Sequence, residues 1–405
     1  MRKYLPATFV LLILGSVALL TWRNGIVEQS PTHHVIDSFD DEADAIALYD
    51  ISGDGKIDVV AAESAGPGRA LYWYKQQTPW DWIRYKVDGG SSMGQDIEGI
   101  TIIEIRGVVY VFSLDQRQGK IRIYTPANPD KPGRSWAKFE LITNRDFIQD
   151  AVPIDIDSDG EMELVYTWEG ANAESGGIHW LDFNGTDPMN ANEWTDHIMI
   201  QHPSAYWLAR ATLDLAGNGR GDIVFVARNR PDRNPGALPG VYWLEKPEDF
   251  TEQWIIHTID DRVADWTKVD TGNFFGDGHG KDIVAIDLQG NMDIALYRFD
   301  SNYARMDIKS VSDQQYNVRT VPTANHCDNA GRNAFLVAHP HSFIYGYKWD
   351  STIWVTFPLN LYPTQGHPLD DDIVWHDLDG DGNYEAFIAD SSDTDPKLIW
   401  VKFTC

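Results

Sequence analysis

Cysteine is nearly absent from this chain: Cys327 and Cys405 are its two examples in 405 residues. At most one disulfide can therefore form, and an oxidising compartment would permit it. Basic residues are also scarce, with 33 Lys and Arg against 61 Asp and Glu, for a formal net charge of −28. Such a chain is a poor partner for nucleic acid or for an anionic membrane surface. No nucleophile elbow, P-loop, dinucleotide fingerprint or zinc-protease helix motif occurs, and no organic cofactor is expected.

Long apolar runs are missing too, apart from Leu5 to Trp22, which follows Arg2 and Lys3 and is closed by Arg23. That run is short for a membrane span and long for the apolar stretch of a signal peptide. Gly15, Ser16 and Ala18 would suit cleavage. Residues 1–30 are read as a signal peptide or an N-terminal membrane anchor, and 31–405 as one domain. Either reading puts the domain outside the cytoplasm, secreted or membrane-anchored. If uncleaved, residues 5–22 would attach it to the membrane, and the basic N-terminus would leave the C-terminal side outside. The sequon Asn184-Gly-Thr186 is a glycosylation acceptor in a host that glycosylates.

Apolar residues are plentiful at 43%, enough for a core, and 16 Trp, 17 Tyr and 16 Phe favour pleated surfaces. Aromatic side chains also line sugar-binding sites, although core and sheet packing explains most of them.

The most informative feature present is an acidic loop that recurs five times. Its fullest copy is Asp377-Leu-Asp379-Gly-Asp381-Gly-Asn383-Tyr-Glu385, followed by Asp155-Ile-Asp157-Ser-Asp159-Gly-Glu161-Met-Glu163. The copy at Asp50, Ser52, Asp54 and Asp58 has serine at position 3. Weaker copies carry Asp214, Asn218 and Asp222, and Asn273, Asp277 and Asp282. Oxygen side chains at positions 1, 3, 5 and 9, with glycine at 6, can wrap a hard cation such as calcium. Because the loops recur along the chain, the calcium is expected to be structural rather than catalytic.

Around each loop the same units repeat: a short apolar strand before it, an apolar strand after it, then an aromatic strand and a last strand. The aromatic strands include Leu71-Tyr-Trp-Tyr74, Ile178-His-Trp-Leu181 and Val241-Tyr-Trp-Leu244. The last strands include Trp194-Thr-Asp-His-Ile198 and Trp254-Ile-Ile-His-Thr-Ile259. Two intervals between loops, 50 to 155 and 273 to 377, are about twice the others. Degenerate copies fill them, near Asp96 to Glu104 and near Asn325 to Asn333. Seven units with a period of about 54 residues predict an all-β, seven-bladed β-propeller of four-stranded antiparallel blades. The last unit, ending near Phe403, lacks a fourth strand, and His33 to Asp37 resembles one; the N-terminal strand is expected to complete the last blade.

This pattern resembles the FG-GAP or VCBS repeat family, whose propeller repeats also occur in integrin α subunits. The resemblance covers residues 33 to 403 and implies calcium loops joining the first two strands of a blade on one face of the disc. The aromatic strand followed by Trp-x-x-His-x-Ile is also similar, more weakly, to propeller regions of sugar lyases and dehydratases such as aldos-2-ulose dehydratase.

Function is then expected on the opposite rim, where turns precede the first strands and follow the second. The unit containing His202, Tyr206, Trp207 and Arg210 departs most from its siblings. His202 and Tyr206 are candidates for base and acid, and Arg210 could hold a carboxylate or a developing enolate. With Arg319, His339 and His341 they would suit proton abstraction and β-elimination. Trp168, Trp207, Arg228, Arg230, Trp266, Lys268 and His367 are candidate ligand-binding residues. His339 and His341, two apart on a strand, share a face but lack a third ligand with signature spacing. The expected function is a monomeric, cofactor-independent acid/base enzyme, a lyase, dehydratase or cyclase, acting on a small polar molecule or carbohydrate. A lectin-like module without turnover and a protein-interaction or adhesion module are the alternatives. Rim residues that differ between repeats favour one composite site over seven equivalent ones.

Overall fold

The computed structural model describes residues 32–402 apart from 41, 64–68, 91–95, 129–134, 171–174, 232–237, 277–280, 288–293, 299–303, 309–316, 322–333, 340–342, 350–353, 360–371 and 391–395. Within the strands from 304 to 359, side chains are described for Phe335 and Tyr347 alone. The segment 1–30, both cysteines, Asp277, His341 and His367 lie outside the described residues, as do the side chains of Arg319 and His339.

The described strands form seven four-stranded antiparallel sheets. β1 (Thr32–Ser38) opens the chain but belongs to the last of them. The first sheet holds β2 (Ala43–Tyr49), β3 (Asp58–Glu63), β4 (Ala70–Thr78) and β5 (Asp81–Gly89). The second holds β6 (Ile97–Ile105), β7 (Val108–Asp115), β8 (Lys120–Pro126) and β9 (Trp136–Ile142). In the third are β10 (Ile148–Ile154), β11 (Glu163–Glu169), β12 (Gly176–Phe183) and β13 (Trp194–Gln201). The fourth is β14 (Ala205–Leu208), β15 (Ile223–Ala227), β16 (Gly240–Glu245) and β17 (Ile255–Asp260). The fifth comprises β18 (Trp266–Gly272), β19 (Asp282–Asp287), β20 (Ile294–Arg298) and β21 (Ala304–Ile308). The sixth comprises β22 (Asn317–Val321), β23 (Ala334–His339), β24 (Phe343–Trp349) and β25 (Trp354–Leu359). In the seventh, β26 (Ile373–His376), β27 (Glu385–Asp390) and β28 (Lys397–Lys402) precede β1, which pairs antiparallel with β28.

The architecture is an all-β propeller with four-stranded antiparallel blades. First strands pack on first strands, β2 on β6 and β26, β6 on β10, β10 on β14, β14 on β18 and β18 on β22, so they are innermost. Second strands lie between two sheet neighbours and two packed sheets, and β3, β15 and the apolar part of β19 are buried throughout. That double coverage is why they read as continuous apolar runs such as Ile223-Val-Phe-Val-Ala227. Fourth strands such as β5 are half exposed and alternate accordingly.

The Trp-x-x-His strands acquire a packing role. Register places His197 opposite Trp180 and His257 opposite Trp243. The rings stack at centroid distances of 4.2 Å and 4.0 Å, and Tyr85 stacks on Trp73 in the same way at 4.8 Å. Such cross-strand aromatic pairs contribute to sheet stability.

Adjacent sheets are joined by a second recurring device. Tyr74 on β4 donates to Asp37 on β1 at 2.8 Å, Tyr124 on β8 to Asp88 on β5 at 3.1 Å, and Tyr297 on β20 to Asp260 on β17 at 2.7 Å. Each bond runs from a third strand to the fourth strand of the preceding sheet. Arg84, in register with Tyr74, and Lys138, in register with Tyr124, complete the first two as ion pairs. No helix among the described residues is long and apolar enough to cross a membrane.

Candidate functional site

All five acidic loops connect the first strand of a sheet to the second, so they leave from the same end of their first strands. Position 4 is left-handed in every copy: Gly53, Ser158, Gly217, Gly276 and Gly380 have φ between 66° and 74°. Position 6 is also left-handed at Gly55, Gly160, Gly219 and Gly382, which explains the glycine there. The position-1 side chain then accepts from backbone N–H groups inside the loop, as Asp50 does from Asp54 and Gly55 and Asp377 from Asp381 and Gly382.

Position 9 divides the loops by side-chain length. Where it is aspartate, both oxygens or a single bifurcated one satisfy backbone N–H groups. Asp58 accepts from Ser52 and Gln76 and Asp222 from Leu215, Ala216 and Lys246, while Asp282, one residue further along its longer loop, accepts from Phe274 and Phe275. Where it is glutamate, one oxygen makes that bond, Glu163 with Ile156 and Glu385 with Leu378, and the extra methylene brings the carboxylate to the loop. Ligand oxygens of Asp155, Asp157 and Glu163 accordingly lie within 4.8 Å of one another, as do those of Asp377, Asp379 and Glu385. These spacings fit oxygens at about 2.3–2.6 Å around calcium. Asp155 Oδ1 is buried with no hydrogen-bond partner among the described residues, as expected of a ligand atom. Burial, reinforced by Asp157, Asp159 and Asp155, pushes the Glu163 carboxyl up to about 7, an environment that a divalent cation would relieve.

At the Asp377 loop a cation is already present. Lys402 Nζ on β28 lies 2.5 Å from Asp379 Oδ2, 2.5 Å from Asp381 Oδ2 and 3.6 Å from Glu385 Oε1.

Between the end of β14 and the Asp214 loop, a polar cluster collects around Arg210. Its guanidinium donates to Asp150 Oδ1 at 2.7 Å and stands 4.6 Å from the Trp207 ring centroid, while Lys268 Nζ stands 3.2 Å from the same centroid. Asp150 also accepts from the Leu208 backbone at 2.9 Å and is 2% exposed, whereas 30% of the Arg210 side chain reaches solvent. Burial alone would make Arg210 a weaker base; Asp150, Asp372 and Asp270 outweigh it and raise its pKa. Those three carboxylates come from β10, the residue before β26, and β18, so Arg210 projects into space shared by several inner strands.

Arg228 forms a second centre. It donates from Nε and Nη2 to both oxygens of buried Asp265, at 2.9 Å and 2.8 Å, with its guanidinium 4.6 Å from the Tyr206 ring centroid. Tyr206, Asp265 and Glu169 raise the Arg228 pKa against the opposing effect of burial. Five of the expected site residues thus fall into two adjoining groups, Arg210–Trp207–Lys268 and Tyr206–Arg228.

Among the described residues, His202 stands apart from both groups. His202 is 5% exposed and packs on Phe225 and Tyr242, with ring centroids 5.6 Å and 5.3 Å away. Its Nδ1 is buried without a hydrogen-bond partner among the described residues, and burial pushes the imidazole down to about 4. Trp266 is fully buried under Arg262, and Trp168 lies beside Arg145. Arg230 is half-buried. Arg319 lies on β22 opposite Leu336, and His339 on β23 opposite Phe343. Asp150, Asp265, Asp270 and Asp372 carry much of the electrostatics and escaped selection by residue type. Their signal is position: each lies in or just before a first strand.

No protein-family model matches the chain, and no curated protein matches it. Solved structures do. The Chaetomium thermophilum Sqt1 structure, bound to the N-terminus of ribosomal protein L10, has a TM-score of 0.54 and 12% identity over 92% of this chain and 100% of that one. BBS1N in complex with ARL6DN has a TM-score of 0.56 and 11% identity, over 93% of this chain and 97% of that one. At such identities the likeness is one of fold.

Proposed function

We propose that the protein is an extracytoplasmic, calcium-stabilised propeller that binds a small polyhydroxylated molecule, a carbohydrate, among its inner strands around Arg210. In this reading the seven sheets close as one seven-bladed ring, completed by β1, in the manner of the FG-GAP or VCBS repeats. The carrying observation is the Arg210 cluster, a partly accessible guanidinium and an ammonium on Trp207, surrounded by Asp150, Asp270 and Asp372. Those carboxylates already balance the cations, so an anionic ligand would meet no net attraction. Hydroxyl groups, which both donate and accept, can bond to carboxylates and cations alike.

Binding rather than turnover is the better supported half of this reading. A general base working near neutral pH needs access to substrate and matched basicity. Buried His202 has neither. Tyr206 and Arg210 are the candidates for an acid/base lyase acting on the same ligand. A protein-interaction role is the second reading, favoured by the two similar propellers whose structures contain protein partners.

Glycan-array screening of the folded domain, followed by calorimetric titration of the best binder, tests the proposal. Arg210→Ala is expected to weaken binding at least tenfold. A domain that binds no carbohydrate, or an Arg210→Ala variant that binds as well as wild type, overturns it.

A further inference from the structure

We infer that Lys402 is the built-in cation of the Asp377 loop, and that among the four loops described in full the Asp155 loop is the one open to a divalent ion. This rests on the calcium reading above and sharpens it, because the Asp377 loop has the fullest ligand set by sequence.

The third-strand residue facing position 9 makes the distinction. The register that pairs Ala386 with Val401 continues to Glu385 opposite Lys402. In the first sheet, the pairing of Val59 with Tyr74 continues to Asp58 opposite Lys75, whose Nζ lies 3.1 Å from Asp54 Oδ2. In the third sheet the pairing of Leu164 with Leu181 continues to Glu163 opposite Asp182, and in the fourth Ile223 with Leu244 continues to Asp222 opposite Glu245. The same strand position therefore delivers an ammonium into two loops and a carboxylate beside two others.

Length at position 9 supplies the second criterion. Asp58 and Asp222 use their oxygens on backbone N–H groups, whereas Glu163 and Glu385 extend one into the loop. The Asp155 loop alone among these four combines glutamate at position 9 with no lysine opposite. At the Asp377 loop a divalent ion would have to displace Lys402 from Asp379 and Asp381, losing two charge-assisted contacts of 2.5 Å. Removing the ammonium would leave three carboxylates clustered without a counter-charge, the condition under which such oxygens take up calcium.

The test is calcium stoichiometry by calorimetry on the full domain, with the melting temperature of every variant recorded. Wild type is expected to bind one equivalent tightly, and Asp157→Asn to abolish it. Lys402→Gln should gain a second equivalent, which Asp379→Asn in the same background should remove, while Lys402→Arg should stay at one. Two equivalents in wild type, one of them lost in Asp379→Asn, would overturn the inference while leaving calcium binding intact. A Lys402→Gln protein still binding one equivalent would overturn it as well. If neither wild type nor Lys402→Gln binds calcium, the underlying calcium reading fails too. No equivalent in wild type but one in Lys402→Gln would uphold Lys402 as the resident cation and sink the Asp155 site.

Discussion

Tyr124 donates its hydroxyl to Asp88 Oδ2 at 3.1 Å across the junction between the first and second sheets. The same bond recurs between Tyr74 and Asp37 and between Tyr297 and Asp260, over chain separations of 37, 36 and 37 residues for the three pairs at Tyr74, Tyr124 and Tyr297. Both groups in each pair would otherwise be dehydrated at an inter-sheet seam. Tyr124→Phe and Tyr297→Phe are each expected to lower stability by about 1–3 kcal/mol, since a largely buried carboxylate loses a donor. The two effects should add, because the sites share no partner. Urea denaturation of both single variants and the double variant measures this, and unchanged midpoints would show the bonds to be incidental.

Arg228 and Asp265 form a two-pronged pair whose carboxylate is 1% exposed. Arg228→Ala leaves that charge buried and unpaired, with an expected cost of about 3–5 kcal/mol. Arg228→Lys restores the charge without the planar fork, so it should recover part of the loss and not all of it. A chemical-denaturation series across the three proteins decides, and full recovery by lysine would rule out a geometric contribution.

Calcium removal should destabilise the fold. A ligand that binds only the folded state adds about 2.7 kcal/mol at a hundred times its dissociation constant. Chelation is therefore expected to lower the melting temperature by several degrees, and added calcium to restore it. The Asp157→Asn variant should be insensitive to both. A wild-type melting curve indifferent to chelator would eliminate structural calcium.

Acid should weaken the fold through His202. Its imidazole is pushed down to about 4 by burial, while the unfolded group titrates near 6.5. Between those values the unfolded state binds more protons, so the stability contribution is fully present above 6.5 and is lost as pH falls towards 4. The loss amounts to about 3 kcal/mol. Glu163 and Asp58, pushed up to about 7 and about 6 by burial, act with the opposite sign. Comparison with His202→Gln in the presence of calcium isolates the histidine. Wild type should lose more stability than the variant between pH 7.5 and pH 4.5, and parallel losses would contradict the assignment.

Much of the architecture was legible in the chain. Second strands are covered on both faces, which forces uninterrupted apolar runs, and loops between first and second strands carry a local pattern set by left-handed backbone at positions 4 and 6. The Asp-to-Tyr interval of 36 or 37 residues went unread, because it is an offset between sheets rather than a motif within one. The candidate site was less legible. Residue type singled out His202 as a base, yet a histidine beside a turn and a histidine inside an aromatic core look alike along the chain.

The sequence by itself determined the strand units, the acidic loops and the chemical kind of each loop, because these depend on neighbours within about ten residues. The tertiary structure decided what those groups do. It placed Lys402 among Asp379, Asp381 and Glu385, buried His202 against Phe225 and Tyr242, and gathered Arg210 with Asp150 and Trp207 with Lys268. Each outcome depends on strand register and on which sheets pack together. Those relations connect residues far apart in the chain, and a carboxylate's role follows from whichever cation or N–H group they bring beside it.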